Sequence, residues 1–178
     1  MKIIVNGSCG RMGREVVKLI EAGYRDSVIA AAVDINNSAN EKFPIYENIG
    51  DFDGAADCIV DFSHHTTAPA LLAYAVRRKL PIVVATTGQT EQELAVIRAA
   101  AEKIPVFFSA NMSVGIALLV RLAKTAAKAF PDADIEIVEK HHNRKLDVPS
   151  GTALMLAEGV RQVRPDSEFV IGRHENGK

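Results

Sequence analysis

The stretch Lys2-Ile3-Ile4-Val5-Asn6-Gly7-Ser8-Cys9-Gly10-Arg11-Met12-Gly13 decides the fold of this chain. Its first five residues form a short run rich in Ile and Val, the pattern of a parallel strand buried on both faces. Gly7, Gly10 and Gly13 then mark a tight turn, after which Val16, Val17, Leu19 and Ile20 return at helical spacing. Strand, glycine-rich turn and helix together make the phosphate-binding unit of a dinucleotide fold. The glycines let a pyrophosphate approach the backbone, and the helix N-terminus supplies partial positive charge. The spacing is G-x-x-G-x-x-G rather than G-x-G-x-x-G, because Ser8 and Cys9 fill the early positions. Glycine also marks turns that hold nothing. A second apolar run, Val28–Val33, ends in Asp34, at the spacing of an acid that hydrogen-bonds adenosine ribose hydroxyls. Strand, helix and acid together favour a cofactor loop over a plain turn.

The alternation continues. Residues 36–54 are polar and irregular and read as a surface connection. Residues 57–62 read as a strand around Cys58, Ile59 and Val60, followed by a helix beginning at Thr66 or Thr67 and carrying Leu71, Leu72, Ala75 and Val76. Residues 81–85 are another buried strand, ending in Thr86, Thr87 and Gly88. Thr90 with Glu93 three residues on forms a capping-box pattern for a helix burying Leu94, Ile97 and Ala101. Residues 105–108 form the next strand, ending in Ser109, Ala110, Asn111 and Met112. This order predicts an α/β fold, a doubly wound parallel sheet over residues 1–112 with ligands beyond the carboxyl ends of its strands. Thr86-Thr87-Gly88 fits an ordinary strand-to-loop exit as well, but its position on the ligand edge favours contact with the nicotinamide side. His64 and His65 also sit at a strand end. No Cys or carboxylate stands nearby at ligand spacing, so they read as polar loop residues and no metal is expected.

Residues 113–130 predict a long helix whose apolar face holds Ile116, Leu119, Val120, Leu122, Ala123 and Ala126, stopped by Pro131. The pattern then changes. Residues 134–139 alternate polar and apolar, as in a strand with one face in solvent or an interface. The domain change falls here, with 113–133 as a linking helix and 134–178 as the start of a smaller second domain. Between that strand and a helix expected to bury Leu154, Leu156, Ala157 and Val160 lies Glu139-Lys140-His141-His142-Asn143-Arg144-Lys145-Leu146-Asp147-Val148-Pro149-Ser150-Gly151-Thr152. The imidazoles offer proton transfer near neutral pH, the cations offer charge to an anion, and Ser150-Gly151-Thr152 looks like a helix start. Read alone, the stretch fits a solvated connection as well as a site. Residues 168–171 suggest a further strand.

Bulk composition excludes several classes. The chain has 178 residues, 48% hydrophobic and 24% charged, with net charge -1, so it has no global electrostatic case for nucleic acid or an anionic membrane. Only 6% of residues are aromatic and Trp is absent, which disfavours a base-stacking platform. Cys9 and Cys58 make no disulfide framework or metal spacing. The opening run is too short for a signal peptide or membrane span, so a cytoplasmic address is expected.

Taken in order, the glycine turn, Asp61-Phe62-Ser63, Thr86-Thr87-Gly88, Ala110-Asn111-Met112-Ser113-Val114-Gly115 and the string from His141 to Ala153 resemble the dihydrodipicolinate reductase family, also called 4-hydroxy-tetrahydrodipicolinate reductase. The resemblance implies a Rossmann domain joined to an α+β substrate and tetramerisation domain. It also implies NADH or NADPH as cofactor and a small dicarboxylate substrate reduced in lysine and diaminopimelate biosynthesis. By matching position it implies His141 as general acid/base and Lys145 as proton donor, with His142, Gly151 and Thr152 on the substrate carboxylates. Gly7, Ser8, Cys9, Gly10, Arg11, Met12, Asp34, Ala85, Thr86, Thr87, Ser109, Ala110, Asn111 and Met112 would line the cofactor. Lys140 and Arg144 receive no role. Ile35 stands where some members carry an Arg for a 2′-phosphate, so NADH preference is expected. Family members run on past Lys178. If the chain stops there, an incomplete substrate sheet, impaired assembly into the family's homotetramer and weakened activity are expected. Two other classes compete: a non-catalytic dinucleotide-binding module, and another two-domain dehydrogenase acting on an amino acid or semialdehyde.

Overall fold

A computed structural model describes residues 1–36, 42–109, 111–143 and 148–172. It divides into two compact units, Met1–Ser109 and Ala110–Lys178.

The first unit is a six-stranded sheet of β1 (Lys2–Asn6), β2 (Val28–Val33), β3 (Ile45–Tyr46), β4 (Cys58–Asp61), β5 (Ile82–Val84) and β6 (Val106–Phe108). The spatial order is β3-β2-β1-β4-β5-β6 and every pairing is parallel. The chain therefore runs outward from β1 in one direction and from β4 in the other. The crevice between those two strands is the switch point where a doubly wound sheet takes its ligand. Strand pleat sends alternate side chains to opposite faces. Ile4 joins Ile59, Ile82 and Val84 against α2 (Ala68–Arg78) and α3 (Glu91–Ala101), whereas Ile3 and Val5 pack with Ile20 of α1 (Arg11–Glu21). Both faces are covered, as the unbroken apolar runs require.

Most elements match the sequence reading to within a residue or two. β3 is an addition. It lies inside the polar 36–54 stretch, where two residues pair with Ala32 and Val33 at the sheet edge. The helix expected from Thr66 or Thr67 begins at Ala68, because His64 caps a short 3-10 turn, His65–Thr67, ahead of it. In α3 the inward residues are Ile97 and Ala100, not Ala101.

The second unit contains two helices among its described residues, α4 (Val114–Ala129) and α5 (Gly151–Arg161). Ser113 caps α4, accepting from the Ile116 N–H at 3.4 Å, and Ser150 caps α5, accepting from the Ala153 N–H at 3.1 Å. The helices meet closely because residue 159 is glycine: a Cβ there would lie 2.8 Å from the Val120 Cγ1. The packed stripe of α4 is Ile116, Val120, Ala123 and Ala127, whereas Leu119 and Leu122, expected inside, are 46% and 56% exposed. Leu154 of α5, also expected inside, is 45% exposed, and Ala153 and Val160 take the buried positions. Residues 134–139 and 168–171, expected as strands, carry no ladder. A strand exists only by pairing, and the described residues of this unit include no strand to pair with.

Candidate functional site

The glycine loop is built by backbone contacts that exclude side chains. Gly7 has φ +77° and donates its N–H to the Val33 carbonyl at 2.8 Å. A Cβ on Gly7 would lie 2.6 Å from the Phe62 carbonyl, and one on Gly13 would lie 2.0 Å from the Gly7 oxygen. Glycine at 7 thus lets the turn pass the end of β4, and glycine at 13 lets α1 press against the turn. Gly10 precedes α1 without a side-chain cap, and no acidic residue lies in the first turn of that helix. Its leading amides are therefore suited to an anion.

Asp34 follows β2 and faces this loop. Its carboxylate accepts from the Cys9 N–H at 2.8 Å and the Asn36 N–H at 2.9 Å. The acid is thereby tied to the turn that would carry the pyrophosphate, as a ribose-binding carboxylate requires. Ser8 is buried, while Arg11 and Met12 line a cavity of about 340 Å³ with Phe62, Ser63, His64, Ala85, Thr86 and Thr87. Thr86 has a structural duty, since its carbonyl and hydroxyl accept from Gln89 Nε2 at 2.9 and 2.6 Å; Thr87 is exposed. Ser109 donates its N–H to the Val84 carbonyl at 3.2 Å.

Beneath the loop lies a network that sequence reasoning did not assign. Asp61, at the end of β4, is 0% exposed. One carboxylate oxygen accepts from Asn6 Nδ2 at 2.8 Å, the Ser63 N–H at 3.1 Å and the Ser63 hydroxyl at 2.5 Å, while Oδ2 has no hydrogen-bond partner among the described residues. Burial pushes the Asp61 carboxyl up from the ordinary carboxylate range, against the lowering effect of its Ser63 and Asn6 hydrogen bonds. Asn6 and Asp61 sit opposite each other in the β1–β4 register, at the switch point itself. The available signal was a polar residue closing each of two apolar runs.

In the second unit the structure brings part of the basic loop together around Glu139. One oxygen of Glu139 accepts from the Ser150 N–H at 2.9 Å, and the other accepts from the Ser150 hydroxyl and lies 3.7 Å from His141 Nδ1. One carboxylate thus pins the start of α5 and stands at ion-pair distance from the imidazole. Thr152 accepts from Asn111 Nδ2 at 2.8 Å, and Asn111 Oδ1 accepts from the Ser113 N–H at 2.8 Å. Asn111, expected on the cofactor, joins the starts of α4 and α5. Gly151 and Thr152 occupy the first turn of α5, and His142, Lys140 and Met112 are exposed. Lys145, Arg144 and Ala110 lie outside the described residues. An imidazole at ion-pair distance from a carboxylate, beside the first turn of a helix, can move a proton and meet a carboxylate ligand.

Comparison with known proteins fits this arrangement. The family model described as dihydrodipicolinate reductase, N-terminus, matches residues 1–112, and the corresponding C-terminus model matches residues 115–177. The chain belongs to the dihydrodipicolinate reductase family. Among similar relatives, the 4-hydroxy-tetrahydrodipicolinate reductase of Caldanaerobacter subterraneus subsp. tengcongensis is 46% identical over 175 residues, covering 98% of this chain and 69% of the relative. That of Clostridium tetani is 39% identical, covering 100% of this chain and 70% of the relative. A solved dipicolinate-bound dihydrodipicolinate reductase from Paenisporosarcina sp. TG-14 superposes with TM-score 0.77 at 27% identity, over 100% of this chain and 71% of that one. The WlbA dehydrogenase of Bordetella pertussis, solved with NADH and UDP-GlcNAcA, shares the fold alone: TM-score 0.56 at 16% identity, over 71% of this chain and 42% of that one. Dihydrodipicolinate reductases are oxidoreductases, and the cradle formed by Gly7, Gly13 and Asp34 suits the pyridine nucleotide such chemistry needs.

Proposed function

We propose that this chain catalyses the NAD(P)H-dependent reduction of 4-hydroxy-tetrahydrodipicolinate to tetrahydrodipicolinate in lysine and diaminopimelate biosynthesis, in the cytoplasm. The observation that carries the reading is the match of both family models to one chain, the first over the glycine loop and the second over the His141–Thr152 string. We further propose that the first unit binds the nucleotide and that the second begins the substrate domain.

When bound, the nicotinamide supplies a hydride. The residues of this chain bind, orient and handle protons. The first-turn amides of α1 meet the pyrophosphate, Asp34 accepts from the ribose hydroxyls, and Arg11, Met12, Ala85, Thr86, Thr87 and Ser109 shape the walls around the rest. His142, Gly151 and Thr152 hold the two substrate carboxylates, helped by the partial charge at the start of α5. Hydride addition leaves electron density on the substrate that a nearby cation stabilises. Lys145 fills that role and then donates a proton, with His141 as general acid/base.

NADH is the favoured donor. The Asp34 carboxylate repels a 2′-phosphate, Ile35 beside it carries no charge, and the nearby cation Lys42 pairs with Glu21 at 2.9 Å. Comparing kcat/KM for NADH and NADPH tests this, and a strong NADPH preference overturns it. The reaction itself is read by nucleotide oxidation in an assay coupled to the preceding synthase. His141→Gln should lower kcat by about 10²–10⁴-fold while leaving the NADH Kd within about twofold. A silent His141→Gln would point to a binding module. Light scattering reads whether the chain forms the family's homotetramer.

A further inference from the structure

We propose that the His65–Glu93 pair is a positioning clasp for the cofactor, locking the loop after β4 to the loop after β5 across the nucleotide cavity. The proposal rests on the cofactor half of the reading above.

β4 and β5 are parallel neighbours in register, Asp61 beside Val84, so their exit loops leave the sheet side by side. Phe62, Ser63 and His64 form one wall of the 340 Å³ cavity, and Ala85, Thr86 and Thr87 form another. Parallel strand ends have no shared turn to hold their loops together, so a cross-loop contact has to come from side chains. His65 Nδ1 lies 2.9 Å from both oxygens of Glu93. Glu93 is itself anchored, accepting from the Thr90 N–H at 2.7 Å and closing the capping box of α3. Its side chain is 12% exposed and that of His65 is 24% exposed, so water competes weakly for the pair.

The Thr90 N–H, and after it His65, hold the Glu93 carboxyl below its usual range. Glu93 is therefore an acceptor only, and His65 Nδ1 donates to it. The fixed ring then lies beside both loops. It packs against His64, with centroids 4.3 Å apart and planes tilted by 38°, and a Cβ added at Gly88 would meet its Cδ2 at 3.7 Å. His64 precedes His65 on the same loop and is a wall of the cavity, so anchoring the His65 ring on α3 sets the position of that wall.

Glu93 would bond Thr90 in any capped helix, so the test separates clasp from cap. NADH affinity is measured by fluorescence titration on the full chain and three variants. His65→Ala should raise Kd by about 3–30-fold, the range of an indirect positioning effect, with kcat at saturating NADH unchanged. His65→Gln, whose amide can donate to Glu93, should restore most of the affinity. Thr90→Ala removes the cap and the Thr90 hydroxyl's 3.1 Å bond to Glu93 but keeps the Thr90 N–H and His65 bonds to that carboxylate, so it should lower Tm and leave Kd within about twofold. A His65→Ala chain that binds NADH like the parent overturns the proposal, as does a Thr90→Ala chain that loses as much. Amide exchange at residues 63–67 and 86–89, read without nucleotide, should quicken at both loops in His65→Ala. If the parent binds neither NADH nor NADPH, the cofactor reading fails and exchange alone judges the clasp; unchanged exchange overturns it.

Discussion

In the first unit Ile4, Ile59, Leu71 and Leu72 are at most 2% exposed, whereas in the second Leu118, Leu122, Val138 and Val170 range from 55% to 88%. The difference is one of pairing. Each βαβ step of the first unit lays a strand against one already present and folds a helix over it, so backbone and apolar surface are satisfied within a few tens of residues. The second unit has comparable apolar content in residues 134–139 and 168–171, but the described residues offer it no ladder. Periodicity states which face a segment can bury. Whether it buries that face depends on a partner.

The sharpest way to break the comparison uses the two close-packed glycines. Gly13→Ala sets a methyl 2.0 Å from a backbone oxygen that the β1–β4 junction holds in place. Urea unfolding should show a loss of more than about 3 kcal/mol, or no folded protein. Gly159→Ala meets side chains rather than backbone, Val120 at 2.8 Å and Lys124 at 3.7 Å, in a helix pair with exposed flanks. About 1–2 kcal/mol should be lost there, most of it local to amide exchange in α4 and α5. Equal losses would mean that the second unit is as tightly constrained as the first.

Next in size is the cap of α5. Ser150→Ala removes the N-cap and its hydroxyl bond to Glu139, and should cost about 1 kcal/mol, visible as faster exchange over the first turn of α5. Normal protection at Ala153 would contradict it.

Asp61 is the place where the dry first unit works against itself. Its carboxyl is raised by burial, so the cost of ionising it is absent below the ordinary carboxylate range and grows as pH rises through the raised value. Asp61→Asn keeps an oxygen for Asn6 and Ser63 and removes the charge. The variant should be more stable than the parent at about pH 8, by about 1 kcal/mol, and the gap should close by about pH 4. A gap that widens toward acid would reverse the sign and refute the account. The smallest effect is expected at Leu122, where substitution by Ser should change stability by about 0.5 kcal/mol or less. A larger loss would show that this face of α4 is covered in solution.

How much could be read beforehand follows the same division. The buried strands of the first unit announce themselves as apolar runs, and the Thr90–Glu93 box is a local pattern, so both are legible in sequence. β3 is two residues within a polar stretch, too short to carry a period. In α4 the period gives a broad apolar face, but only packing against α5 shows that Ile116 and Val120 turn inward while Leu119 and Leu122 do not. The site divides likewise. Gly7, Asp34 and His141 stand out by residue type and spacing. Glu139 with Ser150 and His65 with Glu93 lie 11 and 28 residues apart, and no periodicity links them.

The contact of Gly13 with the Gly7 carbonyl also bears on the entropy of binding. A loop whose peptide planes are wedged between β4 and α1 already has its shape when a ligand arrives. Ordering one free residue costs about 1–2 kcal/mol, so a turn that had to form on contact would consume most of the attraction of its amides. Here that cost falls on folding instead. The nucleotide should then meet a socket whose association rate is governed by diffusion and orientation rather than by loop rearrangement.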